Sequence, residues 1–201
     1  MLKISVIICH HKGILIHQAL NTLLLSKDVD FEIIVATSDT RENVWELKKL
    51  FPQVRFIEIQ GGPARKRNVA SRFAEGFHLA FFDDDVEATC FSLKKLLERF
   101  HLSNLAGLVF GKLLNMEHRN NFDEAGSFLT WSGFLWARAG CETKDVGQFE
   151  VPERVLAGKS AACMIRRKVF WDVGGFDESY EILGEETDLA WRVWLAGHEV
   201  W

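Results

Sequence analysis

The sequence predicts an α/β fold, an open and mostly parallel sheet with helices on both faces, and three observations carry that expectation. Short β-branched runs without polar alternation, ISVIIC at 4–9 and FEIIVA at 31–36, have the composition of strands covered on both sides. Strand-type and helix-type patterns then alternate four times before residue 104. Pro52, Pro63 and Gly76 fall where those patterns change.

Taken in order, residues 14–26 place Leu15, Ala19, Thr22 and Leu23 on one helical face, which completes a β-α-β unit with the two flanking strands. Residues 41–51 read as a helix stopped by Pro52, and 54–59 as a strand. A third helix is expected over 63–76, with Pro63 near its first turn and Gly76 just past its last. The strand FHLAFFD (77–83) follows, then a helix over 92–100. Residues 105–157 break the alternation with mixed short runs rich in Gly and Trp, which we read as added strands and loops covering the front of the sheet. Regular signals return at 161–176 and in a final helix at about 187–196, closed by Gly197. GHEVW opens what reads as another strand, so the chain is expected to be a fragment of one domain, 1–201, with halves at 1–104 and 105–201.

Composition narrows the function classes. With 48% hydrophobic and 26% charged residues and a net charge of −4, the chain is expected to be soluble, and the lack of a basic excess argues against nucleic acid as a partner. Cys9, Cys90, Cys141 and Cys163 are far apart, without C-x-x-C spacing, and read as reduced thiols of a cytoplasmic protein. KISVIICHH lacks the form of a signal peptide, and no apolar run reaches the roughly 20 residues that cross a bilayer. Association with a membrane is therefore expected only at its periphery.

The chemistry gathers at three places. The apolar run Leu79–Phe82 ends in Asp83, Asp84 and Asp85, and adjacent carboxylates repel unless something offsets the charge. Side chains alternate along a strand, so Asp83 and Asp85 are expected to point one way and Asp84 the other. Two carboxylates at that spacing suit a hard divalent ion that takes its other ligands from phosphate and water; an acidic loop ahead of the helix near Ser92 is the alternative. Glu185, Glu186 and Asp188 open the last helix, where the dipole favours negative charge, and Asp188 is spaced to pair with Arg192. In GGPARKRNVA, Gly61 and Gly62 permit close backbone approach, and Arg65, Lys66 and Arg67 bring positive charge to a helix start; a solvated basic face is the plainer reading.

The order of KISVIICHHKG, FEIIVATSDT, GGPARKRNVA, FFDDDVEA and VGGFDESYEILGEETDLAWRVWLAGHEV resembles the inverting glycosyltransferases of family 2, which have the GT-A fold. The resemblance covers nearly the whole chain and is weakest over 105–157, which on it becomes a mixed insertion near the acceptor. It implies that Asp83 and Asp85 match the D-x-D that holds Mg²⁺ or Mn²⁺ against a nucleotide-diphosphate sugar, with Asp84 among the donor contacts. It implies that Arg67 and Asn68 lie near the nucleotide. It also implies that Glu186 is the catalytic base, with Glu185 as runner-up, taking a proton from the hydroxyl of a glycan or lipid-linked acceptor at the inner face of a cytoplasmic membrane.

Two departures stand out. Where the family has an aspartate that contacts the nucleobase, this chain has Thr37 or Ser38, with Asp39 displaced, and Glu186 replaces the usual aspartate. Trp131 and Trp136 offer a stacking surface for an acceptor sugar, although core packing is the plainer role for either. Two rival readings stay open at this point. A sugar-phosphate nucleotidyltransferase would want a Gly-rich loop after the first strand, where CHHKGILIH has one glycine. A non-catalytic module or fragment that only binds a nucleotide sugar is the other.

Overall fold

The computed structural model describes residues 4–10, 13–38, 42–180 and 183–201. The first part of the chain runs β1 (Ile4–His10), α1 (Leu15–Leu24), β2 (Phe31–Thr37), α2 (Glu42–Leu50), β3 (Arg55–Glu58), α3 (Pro63–Ser71), β4 (His78–Asp83) and α4 (Ser92–Leu102). Then come β5 (Ala106–Phe110), β6 (Leu113–Leu114), β7 (Phe122–Glu124), β8 (Ser127–Leu129), β9 (Leu135–Ala137) and β10 (Ala162–Arg166). The chain ends with α5 (Arg167–Asp172), α6 (Glu185–Leu195) and β11 (Glu199–Val200).

Seven strands form one sheet in the order β11-β5-β10-β4-β1-β2-β3, and β10 alone runs against the others. Two small antiparallel sheets, β6-β7 and β8-β9, are built from the irregular stretch. That stretch was expected to be wholly added material, but β5 and the residues from Val155 to Ala157 belong to the main body: β5 is an internal strand, and Val155 N–H donates to Val200. Because β2 and β3 lie to one side of β1 and β4 to the other, the winding direction reverses between β1 and β4, which leaves a crevice beyond their carboxyl ends.

Alternation along the buried strands sorts the core into two layers. Ile4, Val6, Ile8, Val35, Ala80 and Phe82 pack against α1, α2 and α4. Ile7, Ile34, Ala36, Leu79 and Phe81 pack against α3, α5 and α6. Helix α1 buries Ile16, Ala19, Leu20 and Leu23, a stripe rotated from the expected one, and Leu15 stays half exposed.

Helix α3 starts at Pro63 as expected but stops at Ser71, because the next amides close short i to i+3 bonds from Arg72, Phe73 and Ala74 that tighten and end the helix. Gly76 therefore does not cap it. A side chain at Gly76 would put its Cβ 2.6 Å from the Ser5 amide nitrogen in β1, and the Gly76 N–H donates to Ser5 Oγ at 2.8 Å. The glycine is needed for close approach of two backbones. Gly76→Ala should therefore overpack this contact and destabilise the fold by about 1–3 kcal/mol in urea unfolding; a variant as stable as the parent would show that β1 can yield there.

Candidate active site

The alternation that builds the core also aims the last residue of β4. Asp83 continues the Leu79–Phe81 face towards α3 and α6, whereas Asp84 lies in the turn that follows and reaches the end of β1. Asp84 Oδ2 lies 2.8 Å from Nδ1 of buried His10, at the end of the neighbouring strand. Strand β4 ends at Asp83, and Asp84 and Asp85 form a turn with Asp85 exposed. Alternation therefore stops at Asp83, and the expected common direction of Asp83 and Asp85 does not come from a continuing strand. Nor do these residues cap α4, whose N-cap Phe91 has no side-chain capping bond.

Asp83 meets Arg67, which α3 carries beneath the crevice. The Arg67 guanidinium is 3% exposed, donates from Nη2 to Asp83 Oδ1 at 2.8 Å and from Nη1 to Glu185 Oε1 at 2.8 Å, and lies 5.3 Å from the centre of the Phe176 ring. One planar cation thus joins the end of β4 to the first residue of α6. Burial still pushes the Asp83 carboxyl above its ordinary value against the opposing pull of Arg67, and Asp85 and Asp84 push it further.

Helix α6 begins after Gly184, whose φ of 97° lies in the left-handed region, and its first turn holds Glu185, Glu186 and Asp188. Glu185 is buried, and among the described residues its Oε2 has no hydrogen-bond partner. Glu186 is only partly buried and makes no ion pair among the described residues. Burial, with the charge of Glu185 beside it, raises the Glu186 carboxyl above its ordinary value. Asp188 and Arg192 pair across one turn as expected, at 2.9 Å, and Arg192 also donates to the Val173 carbonyl.

Asn68, expected near a nucleotide, is engaged by the protein. Its Oδ1 accepts from Phe176 N–H at 2.9 Å, and its Nδ2 donates to the Phe176 carbonyl at 2.8 Å and to Glu178 Oε1 at 3.1 Å. Gly175, at φ 72°, makes this possible, since a Cβ there would sit 2.8 Å from Asn68 Oδ1. Asn68 therefore docks the GGFDE loop on α3, and that loop leads into α6.

His10 was not singled out in the sequence, and Lys66 was read there only as part of the basic run at the start of α3. Lys66, 4% exposed, donates from Nζ to the His10 carbonyl at 2.9 Å and to Ser38 Oγ at 3.0 Å, tying the ends of β1 and β2 to α3. Burial lowers its pKa. His10 in CHH and Lys66 beside Arg67 were visible signals, but only the strand order places them together. Thr37 is buried opposite His10 in the sheet register, and Ser38 follows it; Asp39 lies outside the described residues.

Among the described residues no group of three or more His, Cys, Asp or Glu is assembled to hold a metal. The donor set nonetheless suits a hard divalent cation completed by phosphate oxygens: strand-end carboxylates, Asp85 exposed and Asp83 accepting from Arg67 through its Oδ1. Among the described residues no helix is long and apolar enough to cross a membrane.

The mostly parallel central sheet flanked by helices, with its small antiparallel insertion, has a GT-A-like architecture. Residues 5–174 match the family described as Glycosyl transferase family 2, and the chain belongs to that family. It is 28% identical over 182 residues to the O-antigen biosynthesis protein RfbC of Myxococcus xanthus, covering 85% of this chain and 14% of that protein. It is 31% identical over 144 residues to the pre-mycofactocin glycosyltransferase of Mycobacterium tuberculosis, covering 68% of this chain and 27% of that protein. The chain thus spans at most about a quarter of these relatives. The fold is shared with S. aureus TarS 1-349, at TM-score 0.72 and 18% identity over all of this chain and 58% of that one. It is also shared with GalNAc-T7, solved with UDP, GalNAc and Mn²⁺, at TM-score 0.73 and 17% identity over 99% of this chain and 42% of that one.

Replacing Arg67 by Met leaves two neighbouring carboxylates without their cation and is expected to lower stability by about 3–5 kcal/mol in urea unfolding. Asp83→Asn in the same chain should recover part of that loss, because the two sites are coupled. Simple additivity of the two substitutions would contradict the bridge.

Proposed function

We propose that the chain transfers a sugar from a nucleotide-diphosphate donor to an acceptor hydroxyl with inversion at the anomeric carbon. The observation that supports this reading is the Arg67 bridge, which holds Asp83 at the end of β4 and Glu185 at the start of α6 on one guanidinium. The donor lies over the ends of β1, β2 and β4, in the half formed by residues 1–104, with Thr37, Ser38, Asp39 and Asp84 among the groups near the nucleoside and Lys66 beneath them. Residues 105–201 form the acceptor side.

Asp83 and Asp85 would hold Mg²⁺ or Mn²⁺, which would supply neutralisation of charge on the leaving diphosphate. Arg67 keeps Asp83 in place from the protein side and holds Glu185 through its Oε1. Glu186 is the base. It makes no ion pair among the described residues, and burial with the charge of Glu185 raises its carboxyl above the ordinary value against an opposing pull from Arg67. It accepts the proton of the acceptor hydroxyl as the oxygen attacks the anomeric carbon from the face opposite the diphosphate, so the sugar changes hands in one displacement. Asn68 acts at a distance by fixing the loop that enters α6.

Two expected outcomes test this. Asp85→Ala should abolish Mn²⁺-dependent thermal stabilisation by nucleoside diphosphates, and a panel of uridine, guanosine, adenosine and thymidine diphosphates identifies the base. Glu186→Gln should keep that stabilisation while turnover falls by about two orders of magnitude or more. Since Glu186 must be ionised and its pKa is raised, activity of the parent should decline as pH drops through a value above the ordinary 4.5. Turnover of the Gln variant at the parent rate would remove Glu186 from the role.

A further inference from the structure

The sheet aims Asp83 but not Asp85. Strand β4 ends at Asp83, and residues 84–88 follow as a turn and an irregular link towards α4, so contacts outside the strand ladder set their position. Val86 and Ala88 pack on the core layer beside α1 and α4, and the Ala88 N–H donates to Thr22 Oγ1 of α1 at 3.1 Å. Between them stands Glu87, and one residue takes both of its oxygens. Arg119 donates from Nη1 to Glu87 Oε2 at 2.7 Å and from Nη2 to Oε1 at 2.9 Å. Gln18 of α1 also donates to Oε1.

Arg119 comes from the loop between β6 and β7, 32 residues further along the chain. That loop is braced on both sides of the arginine. Asn115 Oδ1 accepts from the N–H groups of Glu117 and His118 at 2.9 and 2.8 Å, and the Asn121 N–H donates to the His118 carbonyl at 2.7 Å. Asn121 Nδ2 reaches the Cys141 carbonyl at 2.7 Å. An exposed ion pair ordinarily contributes little to stability. Here a planar fork meets a carboxylate through two parallel bonds, which fixes direction as well as distance, and the Glu87 side chain is only 18% exposed. Glu87 lies two residues from Asp85, at most about 7 Å along the chain, so holding one restricts the other.

We propose that Arg119 is a positioning residue for Asp85, acting through Glu87 on the turn that follows β4. The loop between β6 and β7 thereby serves the metal end of the crevice, although it belongs to the half on the acceptor side. Groups that hold metal-binding carboxylates in place without touching the ion are commonly worth about ten- to a hundredfold in metal affinity. That Asp85 binds a metal rests on the glycosyltransferase reading above; the clamp on residues 84–88 does not.

Arg119→Gln separates positioning from charge. Removing a cation near the carboxylates would by charge alone tighten Mn²⁺ binding, whereas loss of the clamp should weaken it about tenfold. In the metal-free whole chain, amides of residues 84–88 should exchange hydrogen faster in the variant while the thermal midpoint stays almost unchanged. Mn²⁺ is then titrated by the paramagnetic resonance of the free ion, with whichever of the four nucleoside diphosphates named above stabilises the parent most. The variant should show the tenfold loss, and Arg119→Glu/Glu87→Arg should bind Mn²⁺ better than Arg119→Glu alone. The Mn²⁺ concentration for half-maximal turnover should rise while turnover at saturating Mn²⁺ changes little. The proposal is overturned if exchange at 84–88 is unchanged, if Mn²⁺ binds the variant as tightly or more tightly, or if the swapped pair does no better than Arg119→Glu. A parent that binds neither Mn²⁺ nor any of the diphosphates would overturn the transferase reading instead, and the exchange result would still decide the clamp.

Discussion

A buried guanidinium with a carboxylate on each side is the interaction on which the rest of this structure depends. Arg67 lies under the crevice with almost no solvent contact, and its two terminal nitrogens hold Asp83 of β4 and Glu185 of α6. Such an arrangement contributes little net stability, since taking the charges out of water costs about as much as the pairing returns. What it does supply is position: two acidic segments a hundred residues apart in the chain, which repel one another, are held at the two ends of one rigid fork. A lysine could satisfy the charge but not both directions.

The fold supports that fork from each side. Reversal of winding between β1 and β4 opens the crevice, and α3 enters beneath it with Lys66, Arg67 and Asn68 at consecutive positions of one turn. Lys66 ties α3 to the ends of β1 and β2, Asn68 ties it to the GGFDE loop, and Arg67 ties it to β4 and α6. One short helix therefore sets the relative positions of every element that lines the site. This explains why a helix with a basic and polar sequence is nonetheless buried along most of its length.

The architecture was legible in the sequence because buried parallel strands and amphipathic helices leave different periods, and ISVIIC, FEIIVA and SLKKLLERF are clear cases. The acidic clusters and the basic run were legible as chemistry for the same reason, being costly to place anywhere without a partner. Less legible was anything decided between elements. Gly76 reads as a helix stop but is required by Ser5 in another strand, and Asn68 reads as a ligand contact but is held by Phe176. His10 and Lys66 gave no sign of lying together because the strand order that joins them is not written in either segment. Strand β5 was hidden in the irregular stretch because its partner β10 lies more than fifty residues further on.

Glu185 and Glu186 illustrate how neighbouring residues of one type are separated in role by environment. Glu185 faces the cation and is committed to structure, while Glu186, one position on and about 100° round the helix, keeps a raised and available carboxylate. The account as a whole therefore stands on a crevice shared by the strand-end acids and Glu186. Anomalous diffraction from crystals grown with Mn²⁺ and a nucleoside diphosphate tests this most directly. The account predicts one manganese peak between the carboxylates of Asp83 and Asp85 and the diphosphate, with the Glu186 carboxylate facing the same cavity. Manganese bound elsewhere, or a diphosphate seated away from Glu186, would contradict it.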